Sequence, residues 1–452
     1  MEKSLYKVNK GLDIKIDGAA LFQTDEYHTD IYAIRPDDFH WITPKLSVEE
    51  GDSVIVGTTI FCSKDDERIR FVSPVSGQIE RIVRGEKRHI SHIIIKSDGK
   101  LNSETVNLPE IISKETIIDT LLKYGLWTFV RQRPFGCIAD YRNTPKAIFI
   151  SCFDSAPLAP DYQFILNGNE NEFQEGINIL SELTGGKTYL CLDSKRDNSF
   201  FEKTKNVDLQ YFSGPHPAGN VGTQINRISP INKGEYIWYI EPQYVATIGR
   251  LFLDRQLDFT KTIAVTGPVA GNPRYVKIIN GASLKDAFTL KSVEKSGFDT
   301  DETRIISGNI LSGHKIDNEC FIGYYDQQIT IIKEGGRRLV FGWLYPGLKL
   351  WSISNTFLSK FITRKSYNVD TTLHGGRRVM MFSDTYDNVF PMDIMPMELL
   401  KACVIKDIDK MEELGIYEVT EEDFALCEVV CPSKTECQQI IYDGLTLIRE
   451  QA

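Results

Sequence analysis

The sequence predicts a multidomain α/β and α+β chain of four units in series, and three patterns predict it. Residues 44–79 hold short runs of alternating apolar and polar residues cut by Gly-Asp and Ser-Gly turns, as a small barrel of half-buried strands requires. Residues 147–192 read buried strand, helix, buried strand, a βαβ unit that leads to a parallel, Rossmann-like sheet. From residue 258 the order changes to strand, strand, helix, strand, and from Pro396 onward the pattern is helical. At 452 residues the chain has room for these units at roughly 100 to 150 residues each.

The first unit, residues 1–105, reads as a lipoyl- or biotinyl-like barrel-sandwich hybrid. Pro44 to Val54, Gly57, the pair Ile60-Phe61, and Phe71-Val72-Ser73-Pro74-Val75-Ser76-Gly77-Gln78-Ile79 carry the likeness. A carrier of that kind needs a lysine on its exposed hairpin, because only an amine forms the amide to biotin or lipoate. Counting back from Pro74, the carrier position falls on Asp66 within Lys64-Asp65-Asp66-Glu67-Arg68, and Lys64 is out of register. A structural adaptor is the expectation.

The second unit, 106–257, opens with a connector helix that Ser113 caps and Gly125 stops, with Ile117, Ile118, Leu121 and Leu122 on one face. Ala147 to Phe153 and Thr188 to Leu192 are strands, and Phe173, Ile177, Leu180 and Leu183 recur at helical spacing between them. A dinucleotide site wants a tight glycine turn after the first strand. The loop instead reads Asp154-Ser155-Ala156-Pro157-Leu158-Ala159-Pro160-Asp161, so bound NAD or FMN is not expected.

The third unit, 258–335, is expected to be a ubiquitin-like, SLBB-type β-grasp. Its strands are Thr262–Gly267, Tyr275–Ile279 and Arg304–Ile306, and its helix is Ala282–Phe288. The fourth, 336–452, is a linker followed by a helical bundle, with a capping box from Thr420 to Asp423 and a last helix after Pro432.

A net charge of −10 argues against a nucleic-acid partner, which would demand a basic footprint. No stretch approaches the ~18 to 20 apolar residues of a transmembrane helix, and Met1-Glu2-Lys3-Ser4 opens no signal peptide, so a cytoplasmic chain is expected. Nine cysteines without paired spacing do not make a disulfide framework.

Three constellations could carry chemistry. Cys427, Cys431 and Cys437, with Cys403 upstream, fit structural thiols, a relic of a lost cluster site, or a metal site. Cys427 and Cys431 would share one helix face, yet C-x3-C-x5-C matches neither zinc ribbons nor ferredoxins. The phrase Ser213-Gly214-Pro215-His216-Pro217-Ala218-Gly219 sets small and rigid residues around one histidine. There Gly214 and Pro217 allow close approach, and His216 can hydrogen-bond a quinone carbonyl, shuttle a proton, or simply sit satisfied in a rigid turn. The cluster from Trp127 through Arg131 and Arg133 to Phe135 fits a protein interface or an interdomain hinge. Gly335–Arg338 and Gly375–Arg378 read as solvated basic turns.

In this order of units the chain resembles the A-subunit family of the sodium-translocating NADH:quinone oxidoreductase. Lys10-Gly11-Leu12-Asp13, Arg131-Gln132-Arg133-Pro134-Phe135, Gly214-Pro215-His216-Pro217-Ala218-Gly219, Arg304 to Gly313 and Pro391-Met392-Asp393-Ile394-Met395-Pro396 carry the resemblance. The family is similar in architecture to the flavin-binding component of complex I and to the iron–sulfur component of the Rnf complex. The resemblance implies a peripheral position on the cytoplasmic face of the bacterial inner membrane, docked chiefly on the membrane-embedded B subunit. It also implies no tightly bound cofactor in this chain, flavins and iron in other subunits, quinone as substrate of the complex, and a C-terminal unit that is the relic of an iron–sulfur domain. Where the family often reads Gly-Thr-His-Ile-His, this chain has Gly222-Thr223-Gln224-Ile225-Asn226. The alternatives are a stand-alone or Rnf-type iron–sulfur electron-transfer protein, and a purely structural scaffold.

Overall fold

In the computed structural model the strands gather into four sheets. The residues described are 4–285, 303–316, 320–335, 346–348, 350–353, 357–361, 366–372, 378–379 and 384–451.

Two antiparallel sheets make the barrel. One runs Ile31–Ile34, Ile90–Ser97, Gly77–Arg84, Ser53–Val54, and the other Pro44–Leu46, Thr59–Ser63, Arg70–Val72. Ile60, Phe61, Phe71, Val75, Ile79, Ile93 and Ile95 fill its centre, and the Phe61 and Phe71 rings stack at 4.3 Å. The hairpin bearing Asp66 is fastened to the second unit. Tyr141 donates its hydroxyl to Asp66 Oδ2 at 2.8 Å, Arg68 pairs with Asp119, and the Arg68 guanidinium lies 4.7 Å over the Tyr141 ring. A swinging arm needs a free hairpin, and this one is docked.

The second unit holds a seven-stranded sheet in the order Leu5–Lys7, Asp208–Ser213, Lys187–Asp193, Ala147–Ser151, Ile237–Tyr239, Arg131–Arg133, Cys137–Ile138. Neighbours among the first five are parallel, and the last two pairings are antiparallel. Strand alternation sends Ile148 and Ile150 to one face, with Phe173, Ile177 and Val245, and Ala147 and Phe149 to the other, with Val221 and Ile225. Helices Glu170–Ser181 and Pro242–Asp254 therefore cover one face and Val221–Ile228 the other. The connector helix Lys114–Lys123 starts at the Ser113 cap, and Gly125 follows it at φ 74°.

The β-grasp sheet has the order His314–Lys315, Thr303–Ser307, Gln328–Lys333, Thr260–Thr266, Arg274–Ile279, Leu21–Glu26, with Thr260–Thr266 and Gln328–Lys333 parallel at its centre. Of the expected helix Ala282–Phe288, residues 286–288 lie outside the described residues, as do 336–338 and 375–377 of the two basic turns. Buried Lys261 donates to the carbonyls of Gly323, Tyr324 and Asp326 at 2.9–3.0 Å, which fixes the loop that bonds Asp38 of the barrel unit and Thr128 of the α/β unit.

Residues 4–26, placed by sequence in the barrel, supply strands elsewhere. Leu5–Lys7 pairs with Asp208–Ser213, and Leu21–Glu26 with Arg274–Ile279.

Helices Pro396–Ile405, Ile408–Glu413, Ala425–Val430 and Cys437–Gln451 enclose Leu399, Leu400, Met411, Phe424, Cys427, Ile441 and Leu445. The Thr420 capping box is present, with Thr420 N–H donating to Asp423 Oδ2 at 2.9 Å.

Candidate functional site

A cleft of about 130 Å³ lies at the carboxyl ends of Ala147–Ser151 and Ile237–Tyr239. From the first of these strands the chain moves to one side of the sheet, and it returns on the other side with the second. That reversal is where open α/β sheets leave a crevice for ligands. Ser151, Asp154, Tyr239 and Glu241 come from the strand ends, and His216 and Asn220 from the loop before helix Val221–Ile228. Asn309 of the β-grasp and Glu422 of the C-terminal unit complete the walls. The volume falls below the roughly 300–1,000 Å³ of sites for drug-sized ligands, so the cleft suits a single ring rather than a dinucleotide.

Arg131 is held rigidly in this cleft. Its guanidinium lies 4.7 Å from the Tyr239 ring and 4.5 Å from the Tyr325 ring, and Nη2 donates to Glu241 Oε1 at 2.7 Å. The second Glu241 oxygen accepts from Gln327 Nε2. Burial pushes the Glu241 carboxyl up to about 7 against the opposing pull of Arg131 and Lys261. Burial also raises the Asp154 carboxyl, although Ala156 N–H donates to it at 2.7 Å.

His216 sits in the wall with its Nδ1 3.0 Å from Ser155 Oγ, which also accepts from Gly219 N–H at 2.8 Å. Its backbone N–H donates to Asp13 Oδ1 and its carbonyl accepts from Leu12 N–H, so the phrase Lys10–Asp13 clasps the phrase Gly214–Gly219. Burial lowers the imidazole from 6.5 to about 4. The unfolded chain takes up a proton near 6.5 that the folded ring refuses until about 4. The stability tied to this ring is therefore whole above pH 6.5 and is lost as pH falls toward 4. The expected loss is about 3 kcal/mol at roughly 1.4 kcal/mol per pH unit. Urea unfolding between pH 4 and 7 should show that slope diminished by this amount in His216→Asn; equal slopes would refute it.

The other sequence candidates lie around the cleft rather than in it. Arg133 is fully buried one layer behind, donating to Asp423 Oδ2 at 2.8 Å and Glu422 Oε1 at 2.6 Å. Trp127, expected at an interface, is core: 1% exposed, packed edge-on against Trp238, with Nε1 donating to the Ala139 carbonyl. Gly214 abuts Val8, where an added Cβ would stand 2.1 Å from the carbonyl oxygen. Pro217 is buried and does not line the cleft. Glu241, Tyr239 and Glu422 escaped sequence analysis. A signal for Glu241 exists, since it follows the apolar run Ile237–Ile240 and immediately precedes a proline that starts a helix.

Three family models match in order along the chain: "NqrA N-terminal barrel-sandwich hybrid domain" at residues 6–98, "NqrA second alpha/beta domain" at 112–257 and "NQRA C-terminal domain", of SLBB type, at 262–318. The A subunit of the Na(+)-translocating NADH-quinone reductase of Marinomonas sp. (strain MWYL1) is 35% identical, the match covering 99% of this chain and 100% of the relative. This chain belongs to that family. The A subunits of Alcanivorax borkumensis and Yersinia pseudotuberculosis serotype I are 34% and 35% identical with the same coverage. A solved NAD+-reducing [NiFe]-hydrogenase aligns with TM-score 0.32 at 10% identity, over 69% of this chain and 55% of its own, too weak a likeness to bear on the fold.

Gln224 and Asn226, the two residues that depart from the phrase named in the resemblance, both make structural bonds. Gln224 Nε2 donates to Ser151 Oγ at 2.8 Å, and Asn226 Nδ2 to Glu418 Oε2 at 2.8 Å. The expected shared helix face of Cys427 and Cys431 is absent. Helix Ala425–Val430 ends before Cys431, whose ψ is 115°, because the residue before a proline is driven out of the helical region. Tyr386 O–H donates to Cys431 Sγ at 2.9 Å, and Cys437 Sγ is 3.8 Å from the same oxygen. Burial pushes the Cys403 and Cys437 thiols up to about 12. Against its own burial, the Thr435 and Tyr386 hydrogen bonds hold Cys431 below the ordinary thiol value. Among the described residues no group of three or more His, Cys, Asp or Glu side chains is disposed to hold a metal.

Proposed function

We propose that this chain is a peripheral subunit of a respiratory complex that oxidises NADH, reduces quinone and exports sodium. On the cytoplasmic face it docks on the membrane-embedded B subunit, and it seats the quinone headgroup in the cleft at the sheet's switch point. In this reading flavins and iron reside in other subunits, the α/β unit is Rossmann-like, and the C-terminal unit is a helical bundle descended from an iron–sulfur domain. The observation that carries the quinone assignment is the cleft itself, a ring-sized crevice lined by both Arg131 and His216, without a glycine loop to bind phosphate. No helix among the described residues is long and apolar enough to cross a membrane, which supports attachment through a partner.

The test is an affinity pull-down of the chain from mildly solubilised native membranes. Recovery of flavin-bearing membrane subunits with sodium-stimulated NADH:quinone activity is expected, and recovery of the chain alone or with an unrelated redox partner would overturn the assignment. A scaffold that never meets quinone is the second reading, favoured by the Gln327–Glu241 and Thr262–Gln243 bonds that tie the α/β unit to the β-grasp. Labelling of the cleft by a photoreactive quinone, weakened by His216→Ala, would exclude it.

A further inference from the structure

Glu241 is the carboxyl group in the cleft held between a fixed cation and an amide donor. Arg131 bonds one oxygen and Gln327 the other. Gln327 Oε1 in turn accepts from Gln243 Nε2 at 2.6 Å, and Gln243 Oε1 accepts from Thr262 N–H at 2.8 Å. The α/β and β-grasp units therefore position this side chain together. Arg131 cannot swing away, because Tyr239 and Tyr325 sandwich it.

The charge around the cleft restricts what can bind. Among the described lining residues Arg131 is the permanent cation, set against Asp154, Glu241 and Glu422. Arg131 is already engaged by Glu241, so among the described lining residues no cation is left for an anionic ligand, whereas a neutral ring with proton-accepting oxygens needs none. Quinone reduction adds two electrons and two protons, and charge accumulating on a carbonyl oxygen here must be neutralised by a proton as it forms.

Resting on the quinone reading above, we propose that Glu241 is the acid that protonates one carbonyl oxygen of the quinone as NADH-derived electrons reach it from the other subunits. The Glu241 O–H bond breaks and a quinol O–H forms. The carboxylate left behind is stabilised by Arg131 and Gln327 and regains its proton from solvent, and the second quinone oxygen takes its proton from water. The groups facing Glu241 fit this task. Burial raises its carboxyl to about 7 and Asp326 adds to the rise, while Arg131 and Lys261 oppose it. Tyr162 and Tyr239, buried beside it, keep their protons at neutral pH, and Glu422 lies on the C-terminal wall of the cleft. Activity that needs the protonated acid falls as pH rises through about 7.

The experiment uses the assembled complex carrying Glu241→Gln or Glu241→Asp. Three readouts are compared: NADH oxidation by ferricyanide, which takes electrons without protons; NADH:quinone reduction across pH; and labelling of the cleft by a photoreactive quinone. The expected result is cleft labelling and ferricyanide activity within about twofold of the parent, with quinone reduction down about tenfold or more in Glu241→Gln and its alkaline limb lost. Glu241→Asp should restore part of the rate with the limb moved to lower pH. That shift decides the matter if the glutamine variant fails to assemble, and an unmoved limb overturns the proposal. Labelling with undiminished quinone reduction overturns Glu241 as the acid while leaving the quinone site standing. No labelling of the parent cleft overturns both.

Discussion

Replacing Arg133 by alanine should lower the unfolding free energy by about 3–5 kcal/mol, the cost of leaving a buried charge without its partner. The guanidinium is 0% exposed and Asp423, 290 residues away, is 1% exposed. Their bond ties the C-terminal helices to the α/β sheet. Without the guanidinium the buried Asp423 carboxylate is left with the Thr420 N–H, and Gly222 packs against its other oxygen, where an added Cβ would stand 2.6 Å from Oδ1. Hydrogen exchange should quicken first in residues 420–430. The double variant Arg133→Met with Asp423→Asn should recover part of the loss, since a neutral amide needs no charge partner and its oxygen can still accept from Thr420 N–H. A double variant as unstable as the single one would show that the ion pair is not what holds the units together.

Gly249→Ala should cost about 3 kcal/mol or more, at or beyond the upper end of ordinary overpacking. An alanine Cβ there would stand 1.7 Å from the Glu172 carbonyl oxygen, and one at Gly176 would stand 2.0 Å from that of Val245. The two helices cross with backbone against backbone. Alanine elsewhere in a helix gains roughly 0.5–1 kcal/mol over glycine, so the clash has to outweigh that gain. Gly185→Ala, where nothing lies within 4 Å of the added carbon, is the control and should be neutral or slightly stabilising. Urea midpoints that fall together for the two variants would mean the helices can part at no cost.

The elements legible in the sequence are those whose side chains repeat locally. Phe173, Ile177 and Leu180 recur every three or four residues and form one helix face, and the turns at Gly51-Asp52 and Ser76-Gly77 bracket barrel strands where the pattern places them. Ser113 and Thr420 cap helices because a short polar side chain can reach back to free backbone donors only at such a start. The cleft was legible only in part. His216 stood out among glycines and prolines, and Arg131 among aromatics, but Glu241 is bound to Arg131 across 110 residues and no spacing encodes that meeting. Trp127 and Arg131 belong to one phrase, yet one faces the core and the other the cleft, since composition does not say which way a short turn points its side chains. Cys431 shows the reverse lesson. Its proline neighbour, visible in the sequence, was enough to take it off the helix.

The stitching of residues 4–26 into two distant sheets sets a timetable for biosynthesis. Leu5–Lys7 leaves the ribosome with no partner until Asp208–Ser213 follows, and Leu21–Glu26 must wait for Arg274–Ile279. At roughly 5–20 residues per second the first strand stays unpaired for about 10–40 s. The barrel between them can close much sooner, because its partners are all within residues 31–97. For that interval the nascent chain carries a finished barrel with a loose leading end. Leu5, Leu21 and Phe22, half or more exposed even in the finished fold, are then open to other chains emerging from the same message.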